Sequence, residues 1–558
     1  MGREVDPVTT EVVARHTLAT AEEMGAALIR AAYSPNIKER YDCSTAIFDA
    51  KGQVIAQAHH VPIHLGSMIG AVDYIRQRFG GQNIKPGDMF LANDPYNGGG
   101  THLPDINIIA PVFRDGRIVA FTACIAHHAD VGGMVPGSES AACETIFQEG
   151  LRLPAVRVMN QGEICRDIVD IILLNSRTPE ERLGDLRAQL AANFTGLRSM
   201  EALFERYGTD VTEQAFADYL DFTERRFEAA IRRLPAGVYE AEDYLSGDTP
   251  DKPAKIKLKL TIGNGSMHFD FDGSAPQLKS ARNVPYQALM ATVYVVAKSM
   301  LDPDVPANAG YFRTMRVEAP PGTLVGPVPP AAVGTRSASC GVIGDVVAAA
   351  LSQAMPKQAI AGSGPHHLLT WSGFDHRNDK YFVHYETVAG AMGGMAFRDG
   401  HDGVRTHASG SANLPIEALE HAFPLRVERY ALRDGSDGAG KYCGGRGLVR
   451  DYRVLGRDIT VSLSAERQHE PAHGMHGGGD ARTGRFVYNP GTAEEKEYFS
   501  GAKEVRMAAG SLMRVETPGG AGFGNPTDRS PELVARDVRE GRIDAETART
   551  VFGWSGRP

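Results

Sequence analysis

After Asp6-Pro7 the apolar residues Val12, Val13, Leu18, Met24, Leu28 and Ile29 recur at helical spacing behind the pair Thr9-Thr10. A helix is predicted from a threonine start to just before Ser34-Pro35, since the residue preceding a proline is pushed out of helical geometry. "DCSTAIFDAKGQVIAQA" reads as strand, turn at Ala50–Gly52 and strand, and "GSMIGAVDYIRQRFGG" as a helix closed by Gly80-Gly81. The runs "INIIAPVF" and "IVAFTACIAHH", joined through Asp115-Gly116, predict a β-hairpin. With Arg114 opposite Arg117, Asp105 falls opposite Ala126, at the same end of the hairpin. Strict register then puts Asp105 on the face of Ala126 and His128, with His127 on the other face. A bulge would reverse this, so the hairpin brings one of the two histidines to Asp105 without choosing between them.

Further on, the pattern is helical and charged from Asp167 to Leu234, and alternating from Gly237 to about Gly273 ("KIKLKLTI", "MHFDFDG"). A Pro/Gly-rich connection precedes a predicted helix at about Val342–Met355. A second glycine-dense zone, "AGAMGGMAFRDGHDGVRTHASG", leads to β-rich sequence from near Leu425, and Ser530 starts a terminal helical pattern. The expected organisation is a mixed α+β (α/β) protein of interlocking subdomains with mixed sheets, a long-helix segment and a β-rich C-terminal half. The expected segments are 1–166 (α/β), 167–235 (helical), 236–330 (β-rich), 331–424 (α/β, glycine-rich), 425–527 (β-rich) and 528–558 (helical tail).

Composition narrows the function classes. At 558 residues the chain is too long for one core, and about three or four units are expected. The net charge of −9, with no dense Lys/Arg cluster, disfavours nucleic acid as a partner. No apolar run approaching the roughly 18 residues of a membrane span is evident, and the N-terminus lacks a signal-peptide pattern. Six scattered cysteines (Cys43, Cys124, Cys143, Cys165, Cys340, Cys443) without a C-x-x-C pair read as reduced thiols, so a soluble, cytoplasmic protein is expected.

The unusual chemistry lies in "NDPYNGGGTHLPDINIIAP", where His102 and Asp105 follow the glycines Gly98–Gly100 at the mouth of the hairpin. Three or so N/O ligands with one open position suffice for a water-activating divalent metal. His102, Asp105, a histidine from His127-His128 and the nearby Asp42 could supply them. Alone, an H-x-x-D spacing is equally that of loop residues making ordinary hydrogen bonds. The other histidine groups are weaker: His469, His473 and His476 sit among glycines and prolines as in a mobile loop. His59, His60 and His64 read as channel or packing residues, and Pro365–His367 as structural. Cys124 reads as core. "GGAGFG" (Gly519–Gly524) lacks the βαβ context of a dinucleotide loop, and no P-loop, G-x-S-x-G or H-E-x-x-H motif occurs.

Taken in order, "SPNIKERYDCSTAIFD", "NDPYNGGGTHLPDI", "AHHADVGG", "PLRVERYALRDGSDGAGKYCGGRGLVRDY" and "TPGGAGFGNP" resemble the hydantoinase B/oxoprolinase family along nearly the whole chain. That family includes B-type subunits of ATP-dependent hydantoinases and caprolactamase, and subunits of acetone and acetophenone carboxylases. The resemblance implies a B-type subunit paired with an ATP/Mg-binding A-type subunit, as A2B2 or larger, which phosphorylates the substrate oxygen. A metal in the B-type subunit, zinc first and manganese or iron next, then supplies the water that opens a cyclic amide. By motif position the implied ligands are Asp42, His102, Asp105 and His127. His128 and Asp130 become candidates for orienting ligands or moving a proton, and Asp94 is a third catalytic candidate. The same likeness admits a ketone carboxylase subunit, and a non-catalytic scaffold for the A-type subunit is the reading from another class. Asp437 and Cys443 depart from the family pattern; if they line the substrate cavity, the substrate differs from a hydantoin or oxoproline.

Overall fold

In the computed structural model, which describes residues 5–247, 252–501 and 504–556, the first helix begins at an aspartate. Asp6 accepts from the backbone N–H groups of Val8 and Thr9, and Pro7 occupies the first helical position, so α1 spans Pro7–Ala31 with Asp6, not a threonine, as its cap. A single turn, α2 (Pro35–Lys38), is capped by Ser34. The first hairpin pairs β1 (Cys43–Asp49) with β2 (Val54–Gln57). The next helix, α3 (Ile63–Asn83), runs past Gly80, whose positive φ breaks its geometry where the sequence predicts the end.

Then come β3 (Met89–Ala92), β4 (Asp105–Arg114), β5 (Arg117–His127), β6 (Val156–Asn160) and β7 (Glu163–Ile164). They complete a seven-stranded sheet in the order β2-β1-β5-β4-β3-β6-β7. Arg114 pairs with Arg117 and Phe113 with Ile118, but the register shifts between Val112 and Phe113, so that Val112 faces Ala120. The extra residue, Val119, carries the shift to the far end, where Asp105 faces His127 and Ile106 faces Ala126. The bulge thus overturns the strict-register expectation.

The alternation of β4 and β5 divides their side chains between two packing layers. Asn107 donates to Ser67 of α3 (2.9 Å), placing the Asp105–Asn107–Ile109 row toward that helix. The opposite row, with Ile106, Ile108, Cys124 and Ala126, packs with Leu186 and Leu190 of a long helix. The charged segment supplies three helices, α4 (Arg166–Leu174), α5 (Pro179–Tyr207) and α6 (Thr209–Ile231), of which α5 makes that layer. Both faces of the sheet are therefore buried, which explains why β4 and β5 read as near-continuous apolar runs.

A second sheet, β11-β10-β9-β8, joins β8 (Gly237–Leu245), β9 (Ala254–Gly263), β10 (Ser266–Asp270) and β11 (Met315–Glu318). Its core includes α7 (Tyr286–Leu301) and a later helix, Arg336–Ala354. That later helix begins six residues before the predicted start. It is also, by length and mean hydropathy (1.2), apolar enough to cross a membrane, contrary to the expectation that no such run exists, yet 83% of its apolar window is buried in the protein. Its Asp345 is paired with His407 and Arg467, as suits a core helix.

The C-terminal half is β-rich. Strands β12 (His367–Asp375), β13 (Lys380–Val388), β14 (Leu425–Leu432), β15 (Leu448–Val454) and β16 (Arg457–Ser464) are followed by β17 (Arg485–Tyr488), β18 (Lys496–Tyr498), β19 (Val505–Met507) and β20 (Leu512–Glu516). They form two sheets, β13-β12-β16-β19 and β14-β15-β20-β17-β18, around a shared core containing Trp371 and Tyr452. A mixed α+β fold of several subdomains is the result. Tyr385 of β13 and Arg336, at the start of the Arg336–Ala354 helix, both reach the mouth of the β4–β5 hairpin.

Candidate metal centre and its cleft

The loop from Asn93 to Pro104 is shaped from within. Asn93 donates to the carbonyls of Leu103 (2.8 Å) and Leu151 (3.0 Å) and accepts from the N–H of Leu153 (2.7 Å). Asp94 folds the next turn by accepting from Tyr96 and Asn97, and its other oxygen holds Arg152 at 2.7 Å. Gly99, at φ +74°, lies so close to α3 that an added Cβ would sit 1.9 Å from the Gly70 carbonyl carbon. The chain then returns through His102 into β4. Asp105 meets His127 by strand pairing, and the His127 N–H donates to the Asp42 carbonyl (3.0 Å).

His102, Asp105 and His127 form a buried group whose potential ligand atoms all lie within 4.8 Å of one another. His102 Nε2 is 3.0 Å from Asp105 Oδ2. Its Nδ1 is 3.0 Å from the Gly334 carbonyl and 2.7 Å from Glu139 Oε1, which also lies 3.3 Å from His127 Nε2. His64 Nε2 is 3.5 Å from Asp105 Oδ1 and 3.6 Å from Asp42 Oδ1. Arg336 donates to Asp105 Oδ2 at 2.5 Å, and Asn36 donates to the His127 carbonyl at 2.9 Å while its amide nitrogen lies 3.1 Å from Nδ1.

Electrostatics and hydrogen bonding converge on one need. A proton on His102 Nδ1, directed at Gly334 and Glu139, leaves the Nε2 lone pair facing a carboxylate oxygen. His102 Nε2, Asp105 Oδ1 and Glu139 Oε2 are buried without a hydrogen-bond partner, a costly state unless a positive charge sits among them. Burial and Arg336 disfavour the charged imidazole, yet Asp105 and Glu139 outweigh both and lift His102 to about 9. Burial acts against the Glu139 carboxylate, but His102 and His127 hold it down to about 2. Two imidazoles and a carboxylate, with further carboxylates beside them, are a donor set that could coordinate a divalent metal.

The other candidates have different surroundings. His128, the residue after β5, turns toward α5 and places Nε2 2.9 Å from Gln189 Oε1, and burial pushes it down to about 4. Asp130 is fully buried and ties down the following loop, accepting from the N–H groups of Gly137 (2.9 Å) and Arg177 (2.7 Å) and from the Arg177 guanidinium (2.8 Å). His469 stacks on Phe499, His473 pairs with Asp480 and His476 packs edge-on against Phe523, each with its own neighbour. Asp437 and Cys443 are taken up where the C-terminal helices pack: Asp437 binds Arg542 (3.0 Å), and Cys443 joins a small core with Val534 and Phe552.

Beside the cluster lies a cleft whose lining includes Asp42, His64 and His127 together with Arg336, His366, Tyr385 and Arg405. The Tyr385 ring stacks on His127 at 4.2 Å. Of "PHH", His367 is core, with burial pushing it down to about 3, whereas His366 lines the cleft, a place its apolar sequence context does not suggest. Glu139, Arg336 and Tyr385 escape the sequence reading. None sits in a periodic or ligand-spaced pattern, and each arrives by tertiary folding.

Residues 6–526 match the family model described as hydantoinase B/oxoprolinase. The chain is 36% identical over 98% of its length to an uncharacterized protein of Methanocaldococcus jannaschii, covering 95% of that protein. It is 32% identical over 99% of its length to a protein of Pseudomonas sp. strain NS671 named as the B-type subunit of a D-/L-hydantoinase, again covering 95%. Among solved structures, the ATP-dependent caprolactamase of Pseudomonas jessenii superposes with a TM-score of 0.90 at 27% identity, over 99% of this chain and 96% of that one.

Proposed function

The chain belongs to the hydantoinase B/oxoprolinase family, and from that premise we propose that it is the metal-holding B-type subunit of an ATP-dependent cyclic amidohydrolase. Its ATP-binding A-type partner would phosphorylate the carbonyl oxygen of a hydantoin or lactam, and this chain would complete ring opening. The observation that carries the reading is the buried His102–Asp105–His127 group, with its orphaned lone pairs, at the edge of a cleft. The relatives' names support the partner and the substrate class: one is a hydantoinase subunit, another an ATP-dependent caprolactamase.

His102, Asp105 and His127 would hold the ion, with Asp42 as a fourth ligand and Glu139 and His64 close enough to orient or join the set. Zinc, manganese and iron all suit such ligands. When bound, such an ion acts as a Lewis acid that brings water to a nucleophilic state near neutral pH. Arg336 neutralises part of the Asp105 charge and fixes that carboxylate, while Asn36, at the ring Nδ1, and Tyr385, stacked on the ring, fix the His127 imidazole. His128, Asp130 and Asp94 enter as positioning residues that lock the end of β5, the loop after it and the loop before β4. The proposal keeps the protein in the cytoplasm, where its six free cysteines stay reduced.

Metal content of the purified chain, wild type beside His102→Ala, tests the reading. About one equivalent in wild type and little in the variant is the expected result. Metal-free wild type, or a complex with its partner that loses metal but keeps activity, would leave the chain a scaffold. Bicarbonate consumption with ATP turnover would instead mark a ketone carboxylase.

A further inference from the structure

Every buried arginine among the described residues except one sits against a carboxylate, as Arg182 does on Asp185 (3.1 Å), Arg450 on Glu386 (2.7 Å) and Arg467 on Asp345 (3.0 Å). The exception is Arg40. It is fully buried, and its guanidinium donates to Asn36 Oδ1, the Tyr385 and Ala412 carbonyls and Thr387 Oγ1 (2.6 Å), all neutral acceptors. Arg405, close enough to repel it, is likewise bonded only to neutral groups, Ser411 Oγ and the Thr387 carbonyl, both at 2.6 Å. Burial and then Arg40 push the Arg405 guanidinium down to about 9, against the opposing pull of Asp42 and Glu386, neither of which is hydrogen-bonded to it. Two adjacent cations without a contacting anion are costly in a protein interior, and the cost falls when an anion docks.

The hydroxyls beside these arginines are set to receive that anion. Thr387 Oγ1 accepts from Arg40 and Ser411 Oγ accepts from Arg405, so each hydroxyl keeps its own proton for a further acceptor. Thr387, Ser411, Ser409 and Arg405 all line the cleft that also exposes Asp42, His64 and His127. The cavity is about 30 Å³, a few waters' worth, which suits one small charged group rather than a large ligand.

We propose that this arginine- and hydroxyl-lined part of the cleft is an oxyanion-binding subsite, so that the ligand processed at the metal cluster is an anion gripped by Arg405, Thr387 and Ser411. The inference rests on reading the cluster as the reaction centre. The oxyanion has two possible sources, a phosphoryl group added to the substrate or a carboxylate the substrate carries itself. In either case a planar, forked guanidinium is suited to two oxygens of the group.

The test is calorimetric titration of the full-length chain with inorganic phosphate and with pyrrolidone-5-carboxylate, in wild type, Arg405→Gln and Ser411→Ala, with metal content and melting temperature measured on the same preparations. Each titration is repeated after chelation, which removes anion binding at the metal itself. Wild type should bind at least one probe, and Arg405→Gln should weaken it by about tenfold or more with metal content unchanged, before and after chelation. Ser411→Ala, the milder change, should weaken it less. Phosphate binding alone assigns the subsite to a phosphoryl group, and carboxylate binding alone to the substrate's own carboxylate. Binding of neither probe by folded wild type, or equal binding by Arg405→Gln, overturns the proposal. Metal-free wild type that still shows Arg405-dependent binding would overturn the proposed function and leave the subsite standing.

Discussion

Gly99→Ala is the sharpest test of how the loop before β4 builds the candidate centre. A methyl group at this position meets the Gly70 carbonyl carbon at 1.9 Å and the Ala71 nitrogen at 2.2 Å, where ordinary contact begins at 3.4 Å. Both obstacles are backbone, so no side chain can rotate away, and the loop must separate from α3 by about 1.5 Å. The φ of +74° adds a conformational cost of roughly 1–2 kcal/mol for an L-residue, and overpacking adds roughly 1–3 kcal/mol. A loss of about 2–5 kcal/mol in stability is expected. The functional consequence should be larger than that figure suggests, because metal sites tolerate ligand displacements of only about 0.2 Å. His102 lies three residues downstream, so metal affinity should fall by at least about tenfold. Gly98→Ala provides the control: its added methyl meets nothing nearer than 3.2 Å, and its φ is not in the left-handed region. The assay is competition with a chelating dye, alongside urea unfolding of both variants. Wild-type metal affinity in a folded Gly99→Ala protein would refute the argument that the glycines place His102 and Asp105.

Three further outcomes are expected. Glu139→Gln keeps the shape but removes the charge shared by His102 and His127, and should cost about 10–100-fold in metal affinity, read by the same competition; unchanged affinity would remove Glu139 from the centre. Asp130→Asn should lose about 1–3 kcal/mol of stability with metal content intact. A fall in kcat of the assembled enzyme without a fall in melting temperature would instead return Asp130 to proton transfer. Burial alone would raise Glu386, but Arg450 and His384 hold it down to about 2, below the unfolded carboxyl near ~4.3. Its contribution, on the order of 3 kcal/mol, is therefore complete above pH ~4.3 and is lost as pH falls toward 2. Urea titrations at pH 7 and pH 3.5 should show a steeper acid loss in wild type than in Glu386→Gln, and equal losses would refute the assignment.

What the sequence reveals about the centre, and what it conceals, follows from the range over which each signal acts. His102 and Asp105 are legible because three residues of chain and a hairpin, both local, hold them together. The hairpin's turn is legible as well, through Asp115-Gly116. The choice between His127 and His128 is not, since it turns on one extra residue, Val119, inside a run of apolar side chains that offers no mark of a bulge. Both faces of the sheet are buried, so the alternation that would have exposed the shift is absent. Here the family resemblance, which points to His127, supplies what periodicity lacks, and the observed pairing of Asp105 with His127 agrees in position. Glu139 and Arg336 show the opposite limit. Glu139 stands in "GSESAACET", a stretch without period or turn signature, and Arg336 lies 231 residues from the Asp105 it contacts. Residues of this kind become visible only through unsatisfied charge: Glu139 because two imidazoles share one of its oxygens, Arg405 because no carboxylate shares it. The same test that identifies a cation site by its orphaned lone pairs identifies an anion site by its unpaired guanidinium, and the two lie in one cleft. That adjacency is what the proposed hydrolysis would use, an anionic group held beside the carbon that water attacks.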